Sequence, residues 1–337
     1  MQSVLNRHSA FWQMEDVSQP LMSVGEYHPL QSRRPLQLSN GLEIEQNTEL
    51  RPDRLDTEYF TGLSGSPDNA FQGDFIRGST PYDICWTEAI IGCPIVWKAG
   101  YPWSEPISEC LDDLTILEIN EDNPWLAKLL DVTKCLAEKS NGRYPVCQPL
   151  MRGPIDLATA ALGDEPTVYA IADQPAKLRE LLEECTTAFI DIASAFQETS
   201  GLFQGGVVEY GIHAPGPGIR TQADNAALMS PRSYRELLRP CDERICEAFE
   251  YTLIHTHSAC LRVMTDSLLD TKKLRAIQVS LDYPGATSVA DVMPFLKEMN
   301  EHKPLVLTGP VTQAELDELL DTLSPRGLCL LLGLRED

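Results

Sequence analysis

From about residue 80 onward, short apolar runs rich in β-branched residues alternate with longer segments whose apolar residues recur at helical spacing. The runs cover 92–97, 143–149, 166–172, 205–211, 251–257, 276–282, 304–309 and 327–333. This alternation is typical of βα units, in which helices cover a parallel sheet. The eight runs predict an α/β fold, a closed (β/α)8 TIM barrel whose active site lies where the strands end.

Residues 1–75 show little periodicity and are rich in Pro, Gln, Ser and Asn. They predict an irregular N-terminal extension packed on a barrel of residues 76–337, with Phe11, Trp12, Leu21 and Met22 docked on its core. The sequence stops soon after the last run, so the helix expected to cover that run is missing. Either the extension or a partner subunit should cover it. Because the apolar run 327–333 would otherwise be exposed, we expect a homodimer.

Two of the helical segments carry specific signals. Apolar residues that share one helical face predict a helix with Asp173 as its N-cap. These residues are Leu178, Leu181, Leu182, Cys185, Phe189, Ile192 and Phe196. Thr312 and Glu315 form a capping box, which predicts that a second helix begins there.

The composition excludes several function classes. Lys and Arg number 27 against 50 Asp and Glu, a net charge of −23, so phosphate backbones and anionic membranes would be repelled. No apolar stretch approaches the roughly 18 residues that cross a bilayer, and the first residues lack the apolar segment of a signal peptide, so we expect a cytoplasmic protein. The ten cysteines form no CxxC motif and are interpreted as reduced core residues.

The most specific local pattern is His255-Thr256-His257 at the end of a predicted strand. Residues two apart share a strand face, so both imidazoles can converge on one ion, and imidazole nitrogens suit Zn²⁺. A metal would need a third donor, for which Glu209, His213 and Asp282 are candidates. Two alternatives stay open: the histidines bind substrate or neighbouring carboxylates, or they fill the core.

Other polar residues stand at or near predicted strand ends. Asp282 and Glu209 each close an apolar run, where an unpaired buried charge is costly and an active-site role is an alternative to a structural one. The segment HAPGPGIR (213–220) is rich in glycine, but it matches no phosphate-binding motif and its prolines lack N–H donors. We expect it to be a loop that shapes the substrate site.

Five segments in the chain resemble the uroporphyrinogen decarboxylase superfamily, in that family's order. They are TPYDICWTEAIIGCPI, QPLMRGPIDLATAALGD, TQADNAALMSPRSYRELLRP, LIHTHSA and AIQVSLDYPGA. The resemblance implies a (β/α)8 barrel with its pocket at the strand carboxyl ends. It also implies one of two activities: porphyrinogen decarboxylation without a cofactor, or zinc-dependent methyl transfer between small methylated compounds, corrinoid proteins and thiols.

Departures from the family pattern favour the second activity. Asp83 matches the decarboxylases' essential aspartate, but Arg33 and Arg34 do not match their arginine-rich substrate motif. A substrate with many carboxylates would meet a strongly acidic protein, which disfavours porphyrinogen decarboxylation. The methyltransferases resembled here bind zinc through a His-x-Cys and a later Cys.

In this chain, the metal motif of the methyltransferases is altered. His257 stands in the place of the first cysteine, and Leu334 in that of the later one, with Cys329 close by. The resemblance therefore implies a metal site that is either changed or lost.

We predict zinc-assisted methyl transfer on a small substrate, with the metal on His255 and His257 and a thiol as methyl acceptor. Asp83 and Asp282 are predicted to orient the substrate or move protons. The residues predicted to bind substrate are Arg152, Glu209, His213 and Asp224. A corrinoid would serve as substrate or as the cofactor of a partner protein.

Three alternatives remain at this stage. The first is a metal-free lyase of the decarboxylase type, which would use no cofactor. The second is a non-catalytic binding subunit. The third is a barrel metal hydrolase that uses the His-x-His pair.

The charge makes a direct prediction about nucleic acids. Because the net charge is −23 and no basic run exceeds Arg33-Arg34, the protein should elute from heparin at low salt. Retention above roughly 0.3 M salt, as multi-phosphate binders show, would contradict it.

Overall fold

The structure is a computed structural model that describes residues 1–27, 44–64, 66–82, 84–282 and 287–336. Asp83, Arg33 and Arg34 lie outside the described residues. The chain divides into two compact units, one within 1–30, 71–76 and 206–337 and the other within 31–70 and 77–205. The predicted boundary between residues 75 and 76 stays a prediction.

The strands of the described ranges are β1 (Leu21–Glu26), β2 (Thr48–Glu49), β3 (Phe71–Gln72), β4 (Phe75–Ile76), β5 (Ile95–Lys98), β6 (Tyr101–Ser104), β7 (Val207–Glu209), β8 (Ile212–Ala214), β9 (Gly218–Gln222), β10 (Tyr251–His257), β11 (Ala276–Ser280), β12 (Leu305–Val311) and β13 (Leu328–Leu334).

The α-helices of the same ranges are α1 (Gln2–Trp12), α2 (Thr57–Leu63), α3 (Trp86–Ile91), α4 (Pro124–Ser140), α5 (Pro154–Leu162), α6 (Asp164–Asp173), α7 (Pro175–Ser200), α8 (Pro231–Ser233), α9 (Arg239–Ala248), α10 (Leu261–Asp270), α11 (Val289–His302) and α12 (Gln313–Thr322). Short 3₁₀ turns cover Pro52–Arg54, Asp224–Leu228 and Ser258–Cys260, and a π-helical turn covers Tyr234–Leu238.

Six of the described strands form one parallel sheet in the order β1, β13, β12, β11, β10 and β9. The last four predicted strands are confirmed as β10 to β13. The two edge strands were not predicted, and β9 occupies part of the segment that we expected to be a loop. A Cβ atom at Gly218 would lie 2.6 Å from the Tyr251 carbonyl oxygen, so glycine lets β9 approach β10 closely.

One face of the sheet carries an apolar layer of side chains, followed by a polar layer nearer the carboxyl ends of the strands. Leu253 on β10 belongs to a buried cluster with Ala276, Val306, Cys329 and Leu21, which come from the neighbouring strands. Because side chains two residues apart share a face, the next position of β10 toward its carboxyl end projects on that same face. That position is occupied by a histidine.

Helix α1 packs on this apolar cluster through Phe11 and Trp12, which are buried as predicted. Leu21 of β1 is also buried, whereas the prediction for Met22 is wrong because its side chain is exposed. The Trp12 indole Nε1 donates to the backbone carbonyl of His213 over 3.0 Å. Its ring meets that of Tyr251 edge-on, with the centroids 5.3 Å apart. The first part of the chain therefore belongs to the core of this unit.

Two of the earlier predicted strands are wrong, and a third forms a strand that is not part of the parallel sheet. Residues 166–172 lie within α6, because Asp164 and Glu165 in its first turn suit the positive end of a helix dipole. The segment 143–149 forms an isolated bridge at Val146 instead of a strand, since Pro145 and Pro149 cannot donate backbone hydrogen bonds. The run 92–97 overlaps β5, which is antiparallel to β2 and β6.

The run 205–211 overlaps β7, which forms an antiparallel hairpin with β8. Its pairing partner is thus the next segment of the chain and not a strand of the parallel sheet. The predicted βα alternation fails at this point because the two-residue connection between β7 and β8 is too short for a parallel crossover.

The unit within 31–70 and 77–205 is mainly helical in its described part. Its longest helix, α7, packs against α4 and α5 and buries every residue of the predicted apolar face. Asp173 ends α6 and Gln174 precedes α7, so the prediction that Asp173 caps this helix is wrong. The capping box of Thr312 and Glu315, in the other unit, is confirmed.

A homodimer is expected if the leucines of the run 327–333 are otherwise exposed. In the structure Leu330 and Leu332 are buried, and β1 pairs along the whole length of β13. The chain itself therefore covers much of this surface, and the homodimer stays a prediction without that support. No helix in the described ranges combines the length and the apolar character that crossing a membrane requires.

Replacement of Trp12 tests the role of α1. The Trp12→Ala variant should lose about 3–5 kcal/mol of unfolding free energy, because a buried indole and its hydrogen bond are removed. Urea denaturation would measure the loss. The neighbouring exposed residue Gln13 is the control, and Gln13→Ala should change stability by less than about 0.5 kcal/mol. Equal effects of the two substitutions would show that α1 is not part of the core.

Candidate metal centre

Strand β10 carries both histidines of the predicted motif on one face. His255 pairs in register with Gln222 of β9 and with Gln278 of β11, while His257 pairs with Ser280. The two imidazole rings lie edge to face with centroids 5.1 Å apart. Strand geometry thus brings the two rings side by side, as their spacing predicts.

Asp224 lies directly opposite these rings. It follows β9 at the start of a 3₁₀ turn, and the backbone N–H of Ala223 donates to the carbonyl of His255 over 3.2 Å. The Asp224 Oδ1 atom is 3.3 Å from His255 Nε2 and 3.5 Å from His257 Nε2. Gln222 donates to the other oxygen, Oδ2, over 3.0 Å. The carboxylate is thereby held with one oxygen facing both imidazoles.

The second nitrogen of each ring faces an oxygen acceptor. His257 Nδ1 is 2.5 Å from Asp282 Oδ1, and His255 Nδ1 is hydrogen-bonded to Gln278 Oε1. Asp282 is itself held by the Ser258 hydroxyl, which donates to its Oδ2 over 2.7 Å. When Nδ1 of a neutral histidine donates its proton in this way, Nε2 retains a lone pair.

These donors fit a divalent metal ion. Among the described residues, Asp224, His255 and His257 each offer one ligand atom, and the three atoms lie within 4.8 Å of one another. Zinc–nitrogen bonds of 2.0–2.1 Å in a tetrahedron separate neighbouring ligand atoms by roughly 3.3 Å, close to the two histidine–aspartate distances. Oxygen acceptors on the far nitrogens of both rings are also typical of metal-binding histidines.

Without a metal ion, the same groups stabilise one another as charges. The hydrogen bond to Asp224 raises the pKa of His257 to about 9, against the opposing effect of burial, and Asp282 contributes in the same direction. Burial would raise the pKa of Asp224, but its hydrogen bonds to His255 and His257 outweigh burial and hold that pKa well below the usual range. A metal ion would therefore compete with a proton on His257.

Two of the three candidates for the third donor hold other positions. Asp282 contacts the far side of His257, so it orients a ligand. Glu209 lies 4.0 Å from Arg220 Nε, and burial raises the pKa of Glu209 to about 7 although Arg220 opposes the shift.

The third candidate, His213, is buried, and its backbone N–H donates to His8 Nδ1 over 3.0 Å. The donor that does face the histidines, Asp224, was predicted as a substrate ligand. Its signal in the sequence was its position two residues after the GIRTQ run, which forms β9.

The remaining predicted residues lie outside this cluster or outside the described residues. Arg152, in the other unit, pairs with Glu88 over 2.7 Å. Asp83 is not among the described residues. Cys329 is fully buried in the apolar cluster, and burial raises the pKa of its thiol. Leu334 points to the opposite face of β13 from Cys329, because the two are an odd number of residues apart. Neither position supplies a thiolate ligand.

No protein-family model and no curated protein matches the chain. Among solved structures, it is similar to a methyltransferase from Methanosarcina mazei, with a TM-score of 0.63 over 98% of this chain and 93% of that chain. Sequence identity between the two is 17%, so the similarity shows a shared fold.

The pKa of His257 predicts how pH affects the metal-free protein. Because the folded value of about 9 exceeds the unfolded value of about 6.5, this histidine stabilises the fold fully below pH 6.5. That contribution should disappear as pH rises from 6.5 through 9.

Urea midpoints of the metal-free protein measured across this pH range would test the prediction. The wild type should lose more stability than His257→Gln. As a control, replacement of the exposed His302 by Gln should leave the wild-type pH dependence unchanged. A wild-type profile as flat as that of His257→Gln would contradict the assignment.

Proposed function

We propose that the protein is a metal-dependent methyltransferase that binds one zinc ion through Asp224, His255 and His257. The observation that supports this most strongly is the convergence of three ligand atoms from different positions. Oxygen acceptors behind both imidazoles add to it. The proposal includes a closed (β/α)8 barrel with this centre at the strand carboxyl ends, as in the superfamily that the sequence resembles. The methyltransferase title of the structural neighbour is compatible with it.

Bound to these residues, zinc would supply Lewis acidity that lowers the pKa of a thiol, so that its thiolate forms near neutral pH and the proton passes to solvent. The thiolate sulfur would attack the methyl carbon of the donor. A sulfur–carbon bond forms, and the bond between the methyl group and its carrier breaks with the electron pair staying on the carrier. A corrinoid, free or carried by a partner protein, is the proposed methyl donor.

The residues of this chain would hold the donors and orient them. Asp282 accepts the Nδ1 proton of His257, and Gln278 accepts that of His255, so both rings keep Nε2 toward Asp224. Gln222 fixes the Asp224 carboxylate. One carboxylate and two neutral imidazoles balance a single charge of a divalent ion, so an anionic thiolate would complete the charge balance.

A metal-activated hydrolase is the second candidate. Its specific support is the donor set, because two imidazoles and one carboxylate without a thiolate resemble the His₂Glu sets of zinc hydrolases. In a hydrolase, the nucleophile would be a water molecule activated by the metal ion. A thiol-dependent loss of methyl groups from methylcobalamin would favour methyl transfer, and hydrolysis of ester or amide probes without that loss would favour this second candidate.

Metal analysis tests the shared part of both candidates. Purified wild-type protein should hold about one zinc ion per chain, and His255→Ala, His257→Ala and Asp224→Asn should each hold much less, because two remaining donors seldom retain the ion. His302→Ala is the matched control and should keep the wild-type content. Metal-free wild-type protein that also fails to take up added zinc would contradict the proposal.

Activity should follow metal content. With methylcobalamin and 2-mercaptoethanol as probes, the wild type should transfer methyl groups, and the three ligand variants should lose this activity while remaining folded. Strand-end polar groups contribute less to stability than core residues such as Leu253. Full activity in any ligand variant would show that the centre is not the site of reaction.

A further inference from the structure

Tyr210 occupies an unusual backbone conformation close to the candidate metal centre. It forms, with Gly211, the two-residue turn between β7 and β8. Its φ of 50° lies in the left-handed region, where Asn and Gly are common in such turns and a bulky residue is strained. A strained backbone conformation of this kind persists where the surrounding packing holds it in place, and such residues cluster at functional sites.

The hydroxyl of Tyr210 reaches the outer face of the metal centre. Its Oη lies 2.7 Å from Gln278 Oε1, to which it donates, and 3.3 Å from His255 Nδ1. Gln278 is fully buried, so its amide must find partners on both ends. Its Nε2 donates to the Thr308 hydroxyl over 2.8 Å. The Oε1 atom of Gln278 thus accepts two hydrogen bonds, one from the Tyr210 hydroxyl and one from the Nδ1–H of His255.

The orientation of this amide decides which nitrogen of His255 carries the proton. With Oε1 toward the ring, Nδ1 must donate and Nε2 keeps the lone pair that a metal needs. With the amide reversed, its NH₂ group would donate to Nδ1, and Nε2 would carry the proton instead. The reversed amide would therefore remove His255 from the set of metal ligands.

Arg220 determines which group donates and which accepts in the series of hydrogen bonds from Tyr210 through Gln278 to His255. The Arg220 Nη1 atom is 3.5 Å from Tyr210 Oη, and the guanidinium carbon is 5.5 Å from the centroid of the Tyr210 ring. Arginine has only donors, so Tyr210 Oη accepts from it and its own proton turns toward Gln278. The positive charge also favours the carbonyl end of the nearby amide dipole over its NH₂ end.

We propose that Arg220 and Tyr210 are positioning residues that, through Gln278, hold His255 in the tautomer with Nδ1 protonated and Nε2 free for a metal ion. This inference deepens the proposed function and depends on it for its purpose. The tautomer itself can be measured in the metal-free protein.

The decisive measurement is nitrogen NMR of the metal-free protein labelled with ¹⁵N-histidine. The sequence has six histidines, and the His255→Gln variant assigns the signal of His255. In the wild type, Nδ1 of His255 should carry a proton, whether or not Nε2 also donates to Asp224. In Tyr210→Phe, which keeps the ring and loses the hydroxyl, a form of His255 with an unprotonated Nδ1 should appear.

Zinc affinity supplies a second readout. Tyr210→Phe should bind zinc about 10- to 100-fold more weakly, the usual effect of losing a partner that orients a metal ligand. The matched control is Tyr251→Phe, which removes a hydroxyl from the partly buried ring that packs on Trp12. Its zinc affinity should stay within about twofold of wild type, as expected for a residue without contact to the ligands.

A rescue variant separates tautomer control from simple packing. A carboxylate presents acceptors at both of its oxygens and has no reversed form, so Gln278→Glu should restore zinc binding in the Tyr210→Phe background. Arg220→Lys tests the same series of hydrogen bonds at its first member, because lysine keeps the positive charge and also has only donors. His255 should therefore keep its proton on Nδ1 in this variant.

Two results would overturn the inference: an unprotonated Nδ1 of His255 in the wild type, or a Tyr210→Phe variant that matches Tyr251→Phe in both Nδ1 protonation and zinc affinity. The first result does not depend on metal binding. If the wild type takes up no zinc, the proposed function fails, while the tautomer spectra still decide this inference.

Discussion

The parallel register of β9, β10 and β11 is the constraint on which the candidate centre depends. It aligns Gln222, His255 and Gln278 across three strands, and the pleat directs their side chains to the same face. A shift of one residue would send both imidazoles to the opposite face and leave Ile254 and Thr256 in their place. The centre therefore needs no dedicated loop to bring its two histidines together.

The apolar layer beside the centre makes this register costly to change. Leu253 packs with Val306, Cys329 and Leu21 one layer away from His255 on the same face, and a one-residue slip would remove Leu253 from this cluster. Hydrophobic burial thus fixes the register, and the register fixes the ligands. The strain at Tyr210 becomes tolerable for the same reason, because the packed strands on either side over-determine the turn between β7 and β8.

The sequence predicted the parts of this architecture that depend on local pattern. The runs that became β10 to β13 are mostly apolar, with proline only near the two ends of β12, and the His-x-His spacing needs only the two-residue period of a strand. The pattern could not separate the buried strand from the helix at α6, because β-branched residues are also tolerated in a helix whose first turn is acidic and contains proline. The pattern of apolar runs also missed that β5 and β7 each pair antiparallel with the strand that follows, β6 and β8, across a two-residue turn.

The missed parts of the site have a different cause. Asp224 faces the histidines only because β9 lies beside β10, and β9 was hidden in a stretch of glycine and proline that is typical of a loop. Gln278 lies inside an apolar strand, where an amide gives no sequence signal until its neighbours are known. Asp282 was predicted as a site residue because a carboxylate at the end of an apolar run is unusual in itself. Its contact with His257 Nδ1 could not be predicted from the sequence.

The charge of the whole chain bears on how the proposed acceptor would reach the centre. With a net charge of −23, the protein attracts cations and repels anions, so a divalent ion is drawn in and a preformed thiolate is disfavoured. A free thiol has a pKa of about 8.5 and is mostly neutral at pH 7, so it meets no such repulsion. The acceptor would therefore arrive as a thiol and lose its proton only at the centre, where a divalent ion with a single carboxylate ligand carries the positive charge that the rest of the molecule lacks.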